Sequence, residues 1–297
     1  MNADPTPRRE LPMMRHVLAR RLLGCAMFLG TLAAPLLATP QPSGDSPVMR
    51  QIQELGWQRG PADGSLGGIA TLKIAEGQAF LDAPNSRRFL ELTQNPPRDN
   101  RYTLMARESG WFAIFFFEDS GYVKDDEKLD ADALLKSLQE TDKADNEERK
   151  RLGMPAVYTA GWSVPPHYDP ATKRLEWGVQ LRGEDGHLLV NYAIRLLARR
   201  GVMHAILVSA PDRLSHDVAD FKASLVDYAF IPGERYAEFR AGDRVAEYGL
   251  AALVLGGAAA VATKSGFLKA FGKLIVVGVI GLGGALLALF RKLSRRK

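Results

Sequence analysis

The densest run of chemistry-bearing side chains lies between Asp119 and Glu127, where Asp119, Asp125, Asp126 and Glu127 surround Tyr122. Hard cations such as calcium take several oxygens from one loop, so this stretch is the natural candidate for a metal site or for acid–base work. It does not follow the spacing of a calcium-binding helix–loop–helix, and Lys124 and Lys128 sit among the acids. A capped, solvated loop is the plainer expectation. His167 and Tyr168 supply an imidazole and a phenol that could act with those carboxylates if the fold brought both segments into one cleft. The candidate ligand- or partner-binding set is therefore Asp119, Tyr122, Asp125, Asp126, Glu127, His167 and Tyr168.

Beyond this set the chain carries no signature of established chemistry. It has no Gly-rich phosphate loop, no Gly-x-Ser-x-Gly elbow and no His-Glu-x-x-His pair. The single cysteine, Cys25, excludes a disulfide framework and a Cys-based zinc site. Leu22–Leu23–Gly24–Cys25 resembles a lipid-attachment box, but the apolar run follows the box instead of preceding it. His187 falls in a turn and His204 alternates within a strand, positions that suit solvated or structural roles. No cofactor is expected. The leading reading is a non-enzymatic binding or scaffolding module; the alternative is a membrane-tethered hydrolase or metal-binding protein using the Asp119–Glu127 loop.

The charge distribution separates the chain into three parts. Residues 1–44 hold 5 Lys/Arg against 2 Asp/Glu, and residues 244–297 hold 9 against 1. The 45–243 stretch holds 25 against 31, so the net charge of +5 comes from the two ends. An acidic middle is repelled by phosphate backbones, which argues against nucleic acid as a partner. The basic ends flank apolar runs. Arg15, Arg20 and Arg21 precede Leu22–Ala38, the pattern of an export signal with cleavage expected after Ala38. Leu274–Phe290 is 17 residues without a charge, followed by Arg291, Lys292, Arg295, Arg296 and Lys297. At ~1.5 Å per residue this run just spans a thin bilayer, and the basic tail places the tail in the cytoplasm.

The expected organisation is a signal peptide at 1–38, a linker at 39–47, a periplasmic domain at 48–243, a Gly/Ala-rich membrane-proximal helix within 244–273, a transmembrane helix at 274–290 and a basic tail at 291–297. The expected location is the inner (cytoplasmic) membrane with the folded domain on the periplasmic side, bound to another envelope protein. Gly281/Ala285 and Gly284/Ala288 form small-xxx-small pairs that would permit self-association.

Within the domain, Trp111–Phe117 is too short for a helix and too apolar for an edge, which predicts a central strand. Asp130 is an N-cap residue for a surface helix that Gly153 and Pro155 stop. Shorter helices are expected over Pro47–Leu55 and Asn85–Thr93, and a strand over Gly67–Ile74. The β-favouring runs Val157–Val164, Leu175–Leu181, Leu188–Ala198 and Val202–Val208 are separated by turn signals at Pro165–Pro166, Gly183–Gly186 and Arg200–Gly201. Short links predict antiparallel hairpins, and an amphipathic helix over Asp212–Tyr228 completes an α+β domain.

Several strings carry a family resemblance. Asp119-Ser-Gly-Tyr-Val-Lys-Asp-Asp-Glu127, Asp130-Ala-Asp-Ala-Leu-Leu-Lys-Ser-Leu138, Gly161-Trp162, Pro166-His-Tyr-Asp169, Val190-Asn-Tyr192 with Arg195, Arg200-Gly201 and Tyr248-Gly-Leu250 are similar to the bacterial membrane-anchored family known as domain of unknown function 2167. The likeness covers roughly residues 50–262 and implies membrane anchoring, with no catalytic residues to carry over. The order of elements also resembles a PsbP-like α/β/α sandwich, which implies an antiparallel sheet covered by helices on both faces.

Overall fold

The computed structural model describes residues 47–257. The chain runs through α1 (Pro47–Gln53), β1 (Gln58–Arg59), β2 (Ala62–Leu66), β3 (Ala70–Ile74), β4 (Gln78–Leu81), α2 (Ala83–Leu92), β5 (Tyr102–Ala106) and β6 (Phe112–Glu118). It continues through α3 (Ala131–Arg151), β7 (Val157–Asp169), β8 (Arg174–Gly183), β9 (Leu188–Leu197), β10 (Val202–Ser209), α4 (Leu214–Ser224), β11 (Ala229–Phe230), a 3-10 turn at Tyr236–Glu238 and α5 (Leu250–Val254). Eight strands form one sheet in the order β1-β4-β5-β6-β10-β9-β8-β7, with every neighbouring pair antiparallel. A second sheet has the order β11-β3-β2.

The strand β6 reads Phe-Ala-Ile-Phe-Phe-Phe-Glu and lies between β5 and β10, as its unbroken apolar run predicts for a strand covered on both faces. Successive side chains alternate between the faces. Ala113 and Phe115 join Leu104, Ile194, Ala205 and Leu207 beneath the small sheet and α4. There Phe221 meets the Trp111 ring edge-on at 5.6 Å and lies 6.1 Å from Phe115. Phe112 and Ile114 point the other way, against Met49 and Ile52 of α1 and Phe89 of α2. Farther along that same face, Phe116, Ile206, Leu197 and Trp177 pack under Leu134 and Leu138 of α3 and Leu250, Leu253 and Val254 of α5. The fold is thus α+β, with helices on one face and a helix plus a three-stranded sheet on the other.

Local chemistry sets the element ends. Asp130 accepts the Ala133 N–H at 3.0 Å and caps α3, whose last turn carries Arg149, Lys150 and Arg151 at the negative end of the helix dipole. Asp82 caps α2 in the same way through Asn85 N–H at 3.1 Å. The side chains of α3 also serve the outer edge of β7. Asn146 bonds both the Val157 N–H at 2.8 Å and the Val157 carbonyl at 2.9 Å, and Asp142 accepts the Thr159 N–H at 2.8 Å. A helix standing in for the missing neighbour covers an edge that would otherwise recruit another strand.

Several expectations change at the level of individual elements. Pro165–Pro166 does not turn the chain. Instead β7 runs through it to Asp169, with register shifts between Trp162 and His167. An edge strand tolerates proline because the absent N–H leaves no neighbour unpaired. The helix expected over Asp212–Tyr228 is confined to Leu214–Ser224. The folded unit also continues past Asp243. Leu250, Leu253 and Val254, placed by the sequence in a membrane-proximal helix, are 0–3 % exposed and belong to the domain core. Among the described residues no helix is long and apolar enough to cross a membrane. The signal segment, the 274–290 run and the Gly281, Ala285, Gly284 and Ala288 pairs lie outside the described residues.

Candidate functional site

The acidic loop leaves the end of β6 and is bound to the body of the domain through Asp119, Tyr122, Asp125 and Glu127. Asp119 pairs with Arg200 at 2.6 Å and with Arg244 at 2.6 Å, and its carbonyl also accepts from Arg244. Arg200 in turn holds Glu234, and Arg199 bonds Asp243 through two nitrogens at 2.7 and 2.8 Å. The β9–β10 hairpin turn thereby ties the loop to the 234–244 segment. That arginine fork keeps the Asp243 carboxyl down at about 2. Tyr122 forms a parallel bridge with Val245, and its ring lies 4.3 Å from that of Tyr236 and 4.2 Å from that of Phe239.

Asp125 and Tyr168 do come together. The Tyr168 hydroxyl donates to Asp125 Oδ2 at 2.6 Å, and Lys173 Nζ approaches the same oxygen at 2.7 Å. Burial works to raise the Asp125 carboxyl, but the bonds from Lys173 and Tyr168 outweigh it and the net shift is downward. Burial and the adjacent carboxylate push the Tyr168 phenol well above its ordinary value, so it holds its proton at neutral pH. Glu127 accepts the Ala251 N–H at 3.0 Å, and its carboxylate lies so close to Gly249 that any Cβ there would collide with it. Asp126 is exposed.

His167 is not part of this group. It follows Pro166 on β7 and points to the opposite face from Tyr168, as neighbours on a strand must. Its Nε2 lies 3.8 Å from Glu176 Oε2, which also accepts the Tyr192 hydroxyl at 2.5 Å and meets Lys222 Nζ at 2.5 Å. The sheet therefore lies between His167 and the acidic loop. Among the described residues no group of three or more His, Cys, Asp or Glu side chains is placed to hold a metal ion.

A second constellation, which the sequence did not single out as a site, lies under α3 and α5. The strand register sets Arg195 of β9 opposite His204 of β10, and His204 opposite Phe116 of β6. The His204 ring stacks on Phe116 at 4.2 Å, and the Arg101 guanidinium covers the Phe116 ring at 3.7 Å. At the other end the Arg195 guanidinium lies 4.6 Å from the Trp177 ring. Two cations are thus held against aromatic faces in the row Arg101, Phe116, His204, Arg195. Glu118 stands beside the row, with Oε2 3.1 Å from His204 Nε2 and Oε1 accepting the Tyr248 hydroxyl. Burial holds the His204 imidazole down at about 3, and the Arg195 charge pushes in the same direction, so the ring is neutral at pH 7. Burial also lowers Arg195 to about 9 and Arg101 to about 10, which leaves both charged.

The available signal was the hairpin itself. Folding the chain about Arg199–Arg200 sets 195 against 204, so an arginine and a histidine in otherwise apolar strands fall side by side on one buried face. Each residue read singly is a minor interruption of a strand; read as a pair they mark a polar site inside the core.

Comparison with known proteins gives a family and no activity. No curated protein matches this sequence. Among solved structures, the PsbP of Synechocystis sp. PCC 6803 is similar at 12% identity and a TM-score of 0.33, covering 59% of this chain and 93% of that one. The Ran-binding protein Mog1p of Saccharomyces cerevisiae is similar at 13% identity and a TM-score of 0.33, covering 62% and 100%. The family model described as protein of unknown function, DUF2167, matches residues 58–287, and the chain belongs to that family.

Proposed function

We propose that this chain is a membrane-anchored protein of the bacterial envelope that acts by binding another envelope component and not by catalysis. The observation that carries this reading is the employment of the acidic loop. Asp119 is committed to Arg200 and Arg244, Asp125 to Tyr168 and Lys173, and Glu127 to the start of α5. A general acid or base needs a proton-transfer group free to meet a substrate, and carboxylates already held by fixed partners are poor candidates. What the loop does supply is a surface held to the domain, with Asp126 exposed and the exposed Phe239 ring packed against Tyr122. The uncharged 274–290 run and the basic residues after it support the anchor, and the export-like first segment supports a periplasmic domain.

The test is in-cell crosslinking of the full chain followed by affinity purification from detergent-solubilised membranes. The reading expects one stoichiometric envelope protein, lost when Asp126 and Phe239 are both replaced by alanine. Recovery of the chain alone would overturn it. Elemental analysis of the same purified chain adds a second readout, because stoichiometric calcium, magnesium or zinc would favour a metal-dependent activity instead.

A further inference from the structure

The row beneath α5 holds buried polar atoms that the fold does not satisfy. Arg195 is 5 % exposed and His204 is 2 % exposed. Nevertheless Arg195 Nε and Nη1, and His204 Nδ1, have no hydrogen-bond partner. Glu118 Oε2 lies 3.1 Å from His204 Nε2 and works to raise the imidazole against its burial. Leaving a charged donor buried and unpaired is among the most costly things a core can do, and such atoms in a native fold call for a partner.

Three features specify that partner. Trp177 covers one face of the Arg195 guanidinium, so its remaining donors lie in the plane of the group, where a flat two-oxygen acceptor fits. Among the described residues Glu118 is the one carboxylate acting on Arg195, and it also faces Arg101 and the neutral His204, so a singly charged partner suits the site better than a multiply charged one. A dianion such as phosphate would face Glu118 with excess charge. The surroundings are aliphatic, with Ile206, Leu197, Leu250 and Leu253 packed around the row.

We propose that Arg195 and His204 form a binding site for a small carboxylate with a short apolar tail, such as a short-chain fatty acid, enclosed between the sheet and the α5 segment. Entry requires the segment from Tyr248 to Gly257 to lift. It is held by the Tyr248 bond to Glu118, the Glu127 bond to Ala251 and three buried aliphatic side chains. Any Cβ at Gly257 would collide with the Glu118 carboxylate, so the segment lies directly against the site. Binding at this place does not depend on the nature of the envelope partner proposed above.

The test is equilibrium dialysis of the full chain in detergent micelles against radiolabelled butyrate, with detergent alone as the blank and chloride holding the ionic strength constant. The wild-type chain is expected to take up one butyrate per chain saturably, with inorganic phosphate a weak competitor. Loss of a charge-assisted pair is expected to weaken binding roughly ten- to hundredfold in Arg195→Met. Arg195→Lys, which keeps the charge but loses the fork, falls between the two. Uptake no greater than the detergent blank overturns the proposal, and this readout needs only the wild-type chain. Equal binding by folded Arg195→Met, or phosphate competing better than butyrate, overturns it as well.

Discussion

His204 offers a pH experiment whose magnitude depends little on how far its imidazole is depressed. In the unfolded chain the ring titrates near 6.5, and in the fold burial holds it down at about 3. The sign follows from proton counting. A base whose folded pKa is lowered favours the fold where the ring is neutral in both states, above 6.5. It withdraws that stability as the pH falls and the unfolded chain takes up a proton that the fold refuses. At pH 5 the gap to 6.5 is about 1.5 pH steps of ~1.4 kcal/mol each, so the fold loses about 2 kcal/mol relative to pH 7.5. Any folded value below about 4 gives nearly the same figure. His204→Phe keeps a ring against Phe116 and removes the proton site. Urea unfolding of the full chain and of this variant, at pH 7.5 and pH 5, isolates the effect as a difference of differences. The wild type should lose about 2 kcal/mol more than the variant. Parallel losses in the two proteins would refute the claim that this imidazole is buried and neutral.

Other consequences follow from the same contacts. Asp145 is the opposite case: burial, with Asp142 and Glu148 nearby, raises its carboxyl from 3.8 to about 7. Its stability contribution is therefore fully present below 3.8 and lost as the pH rises through about 7, and Asp145→Asn should abolish that decline in pH-dependent denaturation. Leu253→Ala should destabilise the fold by about 2–5 kcal/mol, because α5 is part of the core and not a membrane-surface helix. Chemical denaturation reads this directly, and a loss under about 0.5 kcal/mol would return α5 to the surface. Asp125→Ala should lower the melting temperature by removing the acceptor of Tyr168 and Lys173, while addition of calcium should leave the melting temperature of the wild type unchanged.

The legible parts of the fold were those in which one local signal dominates. The run from Phe112 to Phe117 admits only a buried strand, and Asp130 together with Gly153 brackets α3. The strands β4 and β5 escaped notice because four and five residues give too little periodicity to read, and their place in the sheet depends on pairing with each other and with β6. Pro165–Pro166 misled because the turn preference of proline is local, whereas its tolerance at an edge depends on where β7 ends up in the sheet. Of the candidate site, Asp125 and Tyr168 meet in the structure, a pairing the sequence offered only on the condition that the two segments share a cleft, while His167 is separated from them by strand alternation. Glu118, Arg195 and His204 form a group only through long-range register, which no single stretch of sequence displays.

Cell fractionation with an alkaline wash, followed by protease added from the periplasmic side, tests the anchored envelope reading most directly. The full chain should stay in the inner-membrane pellet, with residues 48–257 digested only after the outer membrane is opened. A chain found in the soluble cytoplasm with its first 38 residues intact would contradict the account.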